Sequence, residues 1–131
     1  MKKPILLTAA ILGLLAIILG AFGAHTLKEL ISMESQKTFE TGVRYQMYHA
    51  LLLLYIGGSS LIRLKVKKVI FYLVVFGVVF FSGSIYGLAT NALWSFNFKA
   101  IGFITPIGGL LFVLAWSFLF IEFSRINKKI K

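Results

Sequence analysis

Within a mostly apolar chain, a few histidine, arginine and serine residues have side chains suited to binding or catalysis. Tyr45 and His49 are four residues apart, so they share a face if the segment is helical. A pocket holding Arg44 and His49 could bind a small anion or a lipid headgroup. Ser82 or Ser84 could act as a nucleophile only with a base within hydrogen-bond reach. The residue types therefore favour ligand binding over catalysis.

Recognisable catalytic motifs are missing from the sequence. It contains no HExxH, no Walker-type phosphate loop, no GxSxG and no cysteine. Two histidines without an acid inside an apolar run make a poor set of metal ligands. We therefore predict a protein that is not an enzyme and uses no cofactor or metal. An intramembrane enzyme that uses His49 and a serine is the remote alternative.

The composition indicates where such side chains must be positioned. The chain has 131 residues, of which 59% are hydrophobic and 14% charged, and its mean hydropathy is +0.91. A soluble domain has roughly a quarter charged residues, and a small one cannot bury this much apolar side chain. The net charge of +10 comes from bases that flank apolar runs rather than forming a basic face. We predict an integral membrane protein without a nucleic-acid partner.

Four stretches without charged residues are long enough to cross a bilayer. They contain 24, 18, 30 and 22 residues and follow Lys3, Arg44, Lys68 and Lys99, whereas a span needs about 20. We predict an all-α membrane protein, a bundle of four transmembrane helices in one integral membrane domain, residues 1–131. Its helices are expected at roughly 4–26, 40–63, 68–91 and 102–123. The mixed segment 27–39 predicts a short amphipathic interfacial segment between helices 1 and 2.

The distribution of lysine and arginine predicts the orientation. Ten bases lie on one side of the predicted bundle: in the N-terminus, in the second loop (residues 63–68) and in the C-terminal tail, which includes Lys128, Lys129 and Lys131. Four bases lie on the other side of the bundle. We predict a multi-pass protein of the plasma or inner membrane with both termini cytoplasmic. The alternative is a cleaved secretory signal at the N-terminus, but the apolar run from Ile5 to Phe22 exceeds the 7–15 residues of a signal core.

Polar residues inside the predicted helices concentrate in their outer halves. Polar groups are costly in a membrane and mark candidate sites. We predict an outward-facing polar cluster as a candidate binding site, formed by His25, Arg44, Tyr45, Gln46, His49, Ser82, Ser84, Tyr86, Asn91 and Thr105. The alternative is that these groups bond to one another and hold the helices together.

Small residues predict where the helices pack. Lipid chains are as apolar as leucine, so membrane helices associate where small residues let backbones approach. The predicted packing positions are Gly20, Gly23, Gly83, Gly87, Gly108 and Gly109. A row of small residues that is not used for packing within one bundle could also support a homo-oligomer.

Several short motifs follow one another over nearly the whole chain. They are Gly20-Ala21-Phe22-Gly23-Ala24-His25 with Leu27, Thr41-Gly42 with Tyr45-Gln46, His49-Ala50-Leu51, Phe81-Ser82-Gly83-Ser84 with Tyr86, and Thr105-Pro106-Ile107-Gly108-Gly109. In this order they resemble a family of small bacterial inner-membrane proteins, domain-of-unknown-function family 423. Phe103 departs from the family pattern, in which a smaller residue or proline is expected. The resemblance implies a four-helix integral membrane protein and brings no established activity or cofactor.

Taken together, the sequence predicts a small non-enzymatic integral membrane protein with a structural, regulatory, lipid-binding or partner-binding role. Its expected partners are the bilayer, a lipid headgroup or small anion, and a second copy or another membrane protein. The alternative function is a small-solute transporter or an oligomeric channel, which the polar cluster would line.

Overall fold

A computed structural model of the chain describes residues 1–126 and is all-helical over that range. The lysines of the C-terminal tail that enter the charge bias, Lys128, Lys129 and Lys131, lie outside the described residues. The long helices are α1 (Lys2–His25), α2 (Met33–Gly58), α3 (Leu64–Val78) and α5 (Ile104–Ser124). A π-helical segment, Val79–Gly83, continues α3 directly into the short α4 (Ser84–Ala89). Single 3-10 turns lie at Leu27–Glu29, Asn91–Leu93 and Phe98–Ile101.

Three helical stretches are long and apolar enough to cross a membrane, judged by length and composition. They are Lys2–Glu29, Leu64–Ala89 and Phe98–Ser124. Their outward side chains are large and apolar: Ile17 is 65% exposed and Phe120 is 74% exposed. Such a surface suits lipid rather than water. The prediction of an all-helical protein with membrane-spanning segments is confirmed to this extent.

The start of α2 differs from the prediction. The side chain of Ser32 caps the helix by accepting a hydrogen bond from the Ser35 N–H, at 3.1 Å, so α2 begins at Met33 rather than near residue 40. The expected interfacial segment 27–39 is therefore not a separate amphipathic helix. Its Leu27 side chain is almost completely buried against Phe39, and its second half forms the first turns of α2.

Helices α1 and α2 lie antiparallel and in contact along their length. Gly57, near the end of α2, packs against Leu6 near the start of α1, and Gly23, near the end of α1, packs against the ring of Phe39. Ile5 is wholly buried in the core at the start of α1. Both ends of α1 therefore contribute to the packing of the helices.

The second pair is formed by α5 and the α3–α4 segment. Gly77 of α3 lies against the ring of Phe112, and Gly108 of α5 lies directly against the backbone of Phe80 and Phe81. A Cβ at Gly108 would lie within 3 Å of this backbone, so only glycine provides the room for the contact. The main core between the pairs is apolar and is formed largely by Leu53, Ile56, Ile70, Val74, Ala115 and Leu119.

The predicted packing glycines do not all behave alike. Gly87 packs against the ring of Phe98, and Gly20 lies near a methyl group of Val43. Gly109 faces the ring of Phe81 at ordinary van der Waals distance. Gly83 departs from the prediction, because it is exposed and has only the Val78 carbonyl oxygen near the position of a side chain, at 4.0 Å. Gly87 is buried four residues further along, so the two glycines of the Gly83–Gly87 pair do not both serve as packing positions.

Candidate functional site

A cavity lies on the side of the molecule between α2 and α5. It has a volume of about 630 Å³. Apart from Tyr45, His49 and Ser117, its walls are apolar or aromatic, and Trp116 and Phe120 stand at its outer edge. We call this cavity the lateral pocket. It is lined by Tyr45, His49, Phe81, Gly109, Phe112, Val113, Trp116, Ser117, Phe120 and Ile121.

The contacts of His49 define its protonation. Nδ1 lies 2.7 Å from the Tyr45 carbonyl oxygen, which can only accept, so Nδ1 carries the proton. Nε2 lies 3.1 Å from the indole nitrogen of Trp116, which can only donate, so Nε2 accepts. The imidazole is therefore the neutral Nδ1–H tautomer. Its ring stacks on Phe112 with 3.7 Å between ring centroids.

This geometry leaves His49 unsuited to act as a base. Both of its nitrogens are engaged, and its side chain is only 3% exposed. Ser82 donates to the carbonyl oxygen of Gly42, at 2.7 Å, and Gly42 precedes His49 by about 10 Å along α2. The structure does not bring the serine and the histidine of the remote enzymatic alternative together.

A second group of polar contacts joins three helical segments around Gln46. Its amide nitrogen donates to the Leu12 carbonyl oxygen of α1, at 2.8 Å. Its amide oxygen accepts from the hydroxyl of Tyr86 in α4, at 2.6 Å. Gln46 is almost completely buried, so the two bonds satisfy both ends of an amide that could not face lipid alone.

Further along, Ser84 donates to the Phe80 carbonyl oxygen and also bonds Thr105 of α5. Asn91 accepts from the backbone N–H of Phe98, at 2.7 Å. Within residues 1–126, every buried side-chain nitrogen and oxygen has a hydrogen-bond partner. The predicted polar residues therefore form several separate bonded groups.

The structure therefore does not gather these residues into the single outward-facing pocket that their depth along the predicted helices suggested. Tyr45 and His49 line the lateral pocket, but Arg44 and His25 are exposed and lie outside it. Because α2 begins at Met33, Gln46 and His49 fall near its middle rather than in its first two turns.

Two contacts were missed at the sequence level. Trp116 is the partner of His49, and the signal for it was an indole N–H inside an apolar run, which needs an acceptor when it is surrounded by lipid or protein. Glu122, 4% exposed, pairs with Arg63. Here the signal was one acid on the side of the molecule that is rich in bases.

Glu122 and Arg63 form a bidentate ion pair. Arg63 Nη2 donates to one carboxylate oxygen at 2.8 Å, its Nε donates to the other at 3.0 Å, and its backbone N–H donates as well, at 2.9 Å. These hydrogen bonds and the negative charge of Glu122 raise the pKa of the Arg63 guanidinium above its ordinary value. The pair fixes the short loop 59–63 onto the end of α5.

The described residues contain no group of three histidine, cysteine, aspartate or glutamate side chains that could hold a metal ion. Neither the lateral pocket nor the Gln46 contacts contain a carboxylate. The arrangement is suited to holding helices together and to enclosing an apolar group.

Comparison with known proteins gives a consistent result. Residues 19–109 match the family model described as protein of unknown function DUF423. A UPF0382 membrane protein of Staphylococcus saprophyticus is 40% identical over 95% of this chain and 99% of its own length. The UPF0382 inner membrane protein YgdD of Escherichia coli is 33% identical over 98% of this chain and 95% of its own length. No solved structure matches the chain. The resemblance noted from the motifs is thereby confirmed, and the chain belongs to the DUF423 family of membrane proteins of unknown function.

Proposed function

We propose that the protein is a non-enzymatic membrane protein that crosses the bilayer four times and binds a lipid acyl chain in the lateral pocket. Both termini are cytoplasmic, and the membrane is the plasma or inner membrane. The observation that carries the proposal is the lateral pocket, whose walls are mostly apolar and aromatic and whose histidine has both nitrogens bonded within the protein.

The antiparallel pairing of α1 with α2 supports four crossings. Because its first turns are polar, α2 is not among the three helical stretches that are apolar enough to span a membrane. Yet α2 contacts α1 from Leu6 to Gly23, and α1 is itself a candidate span. A helix that accompanies a spanning helix from end to end crosses the same thickness, about 30 Å of hydrocarbon.

The positions of the bases support cytoplasmic termini. Contact between Gly57 and Leu6 puts the loop 59–63 beside the N-terminus, and the Arg63–Glu122 pair puts the end of α5 there too. We call this the basic end of the molecule. Lys2, Lys3, the bases of the second loop and Arg125 all belong to it, and such a concentration of bases favours the cytoplasmic side.

The shape and chemistry of the lateral pocket support an acyl chain as its occupant. Its volume, about 630 Å³, is within the range of small-molecule sites. A polar ligand would need several unengaged donors or acceptors, whereas His49 has both nitrogens bonded and Ser117 donates to the Val113 carbonyl oxygen. This leaves the Tyr45 hydroxyl as the one polar side-chain group of the lining without a hydrogen bond among the described residues. The pocket lies midway along α5, at the depth of lipid chains. No contact among the described residues favours the solute transporter or channel.

The test uses Trp116 as a reporter of chain occupancy. In a Trp94→Phe background, Trp116 is the only tryptophan, and lipid brominated on its acyl chain quenches its fluorescence on contact. Gly109→Leu extends a side chain from the pocket wall, where a Cβ meets the Phe81 ring only at 3.8 Å. We expect this variant to lower the quenching of Trp116, because the leucine takes the space of the chain.

Gly83→Leu is the matched control, since it adds the same side chain at an exposed glycine outside the pocket. Quenching in this variant should equal that of the Trp94→Phe parent. Equal quenching in the Gly109→Leu and Gly83→Leu proteins would show that the chain contacts Trp116 only from the open bilayer and would contradict the proposal.

A further inference from the structure

A second cavity lies at the basic end, between the first turns of α3 and the last turns of α5. It has a volume of about 330 Å³. One part of its wall carries three cations, Arg63, Lys65 and Arg125, and another part is apolar, with Val69 and Phe118. We call it the basic cleft. It shares only Ile121 with the lateral pocket.

Glu122 fixes the position of one of these cations. Its buried carboxylate takes the Nε and Nη2 donors of Arg63, which holds the guanidinium in place. The Arg63 side chain is nevertheless 58% exposed. No bond from its third nitrogen, Nη1, to protein occurs among residues 1–126. Three cations against one carboxylate leave the cleft two net positive charges.

We propose that the basic cleft binds an anionic phospholipid, with the phosphate at Arg63, Lys65 and Arg125. The adjoining lipid chains would then lie along Val69 and Phe118. Charge complementarity selects an anion, and an arginine held in a fixed orientation suits a phosphate. The apolar wall selects a ligand with an apolar part, which a free phosphate lacks. Basic pockets between helices at a cytoplasmic surface commonly bind such headgroups.

The inference rests on the proposed topology, since the basic end must lie at headgroup depth. It is independent of the chain in the lateral pocket. The two sites differ in what they recognise, because the lateral pocket would accept the chain of a neutral lipid equally well, whereas the basic cleft requires a negative headgroup.

The experiment measures lipid selectivity by native mass spectrometry. The full chain is released from bilayers containing equal amounts of phosphatidylglycerol and phosphatidylcholine, and the bound lipids are counted. We expect the protein to retain phosphatidylglycerol preferentially. In the Lys65→Gln/Arg125→Gln double variant, each lost charge should weaken retention about fivefold, the effect of roughly 1 kcal/mol per base near an anionic lipid. Both side chains are exposed, so folding is unaffected.

The matched control is the Lys2→Gln/Lys3→Gln variant, which loses two charges at the same end but outside the cleft. Its preference for phosphatidylglycerol should stay unchanged. An equal loss in both variants would show attraction to the surface as a whole and overturn the site. Displacement of the lipid by inorganic phosphate at millimolar concentration would overturn the assignment to a phospholipid. Gly109→Leu should leave the preference intact, which separates this result from failure of the acyl-chain proposal.

Discussion

Gln46 shows how one polar side chain can join several membrane helices. Gln46 belongs to α2. Its amide nitrogen donates to the Leu12 carbonyl oxygen of α1, and its amide oxygen accepts from the Tyr86 hydroxyl of α4. A buried amide without these partners would cost several kilocalories per mole in an apolar environment. The contact therefore specifies how the three segments are placed more than it adds to their stability.

The hydroxyl of Tyr86 offers a direct test of this contact. Tyr86→Phe keeps the ring, which packs on Phe39 and Gly42, and removes only the donor to Gln46. We expect a loss of about 0.6 to 1.7 kcal/mol in the free energy of unfolding, the range found for hydrogen bonds between membrane helices. Reversible unfolding in mixed micelles measures it.

Tyr48→Phe is the control for that measurement, because Tyr48 is an exposed tyrosine on α2 with no hydrogen bond among the described residues. Its stability should match the parent. If Tyr86→Phe were as stable as Tyr48→Phe, the Gln46 contact would not hold the segments together.

The residue types of the site could be predicted from sequence, but their partners could not. Counting residues from the charged flanks gives the height of His49 along a helix and says nothing of its rotation. The indole of Trp116, 67 residues away, therefore could not be assigned as its partner. Ser82 was predicted as a member of the binding cluster and as a nucleophile only in the remote enzymatic alternative. Its hydroxyl donates to the carbonyl oxygen of Gly42, a backbone atom that no motif can indicate.

At the scale of elements, the π-helical segment Val79–Gly83 shapes the contact between the α3–α4 segment and α5. A π turn carries one extra residue and changes the rotation of all that follows it. Ser82 consequently faces α2, while the backbone at Phe80 and Phe81 lies against Gly108. The Ser84 hydroxyl donates to the carbonyl oxygens of Phe80 and Phe81, which belong to the π-helical segment.

Gly108→Ala tests how tightly this contact is packed. A methyl group there would overlap the backbone of Phe80 and Phe81, which cannot rotate away as a side chain can. We expect a loss of about 1 to 3 kcal/mol in the free energy of unfolding, typical of overpacking. The same micelle assay applies.

The comparison variant is Gly83→Ala, in the facing segment, where the new methyl group meets only the Val78 carbonyl at 4.0 Å. Alanine favours a helix over glycine by roughly 0.5 to 1 kcal/mol, so Gly83→Ala should be neutral or slightly stabilising. Destabilisation of similar size in both variants would indicate a general intolerance of the segment rather than close approach at Gly108.

The positions of the helices were largely predictable, because charged residues are excluded from apolar spans and so mark their ends. The ends of α1, the α3–α4 segment and α5 lie within about four residues of the expected ones. Neither end of α2 was predicted, because the helix runs from Met33 to Gly58 rather than over residues 40–63. The Ser32 cap and the packing of Leu27 on Phe39 begin it among charged residues that the counting of gaps treats as loop.

The whole molecule consists of two antiparallel helix pairs whose polar and charged groups are sorted by position. The N-terminus, the loop 59–63 and the end of α5 meet at the basic end, fixed by the Leu6–Gly57 contact and the Arg63–Glu122 pair. The hydrogen bonds of Gln46, His49 and Ser84 to other segments lie near the middle and toward the opposite end. In the proposed topology, this sorting would place the basic end at the headgroups and the sides of the molecule against lipid chains.

Topology can be measured directly because the chain has no cysteine. Single cysteines at Lys2, Lys28, Lys67 and Arg125 should divide into two classes toward a membrane-impermeant maleimide. With four crossings and cytoplasmic termini, only Lys28→Cys is labelled in intact cells, and the other three react after permeabilisation. If α2 lay in the interface instead of crossing, Lys67→Cys would react together with Lys28→Cys, and Lys2→Cys and Lys67→Cys would fall on opposite sides. The pairing of α1 and α2 from end to end predicts that Lys2→Cys and Lys67→Cys behave alike.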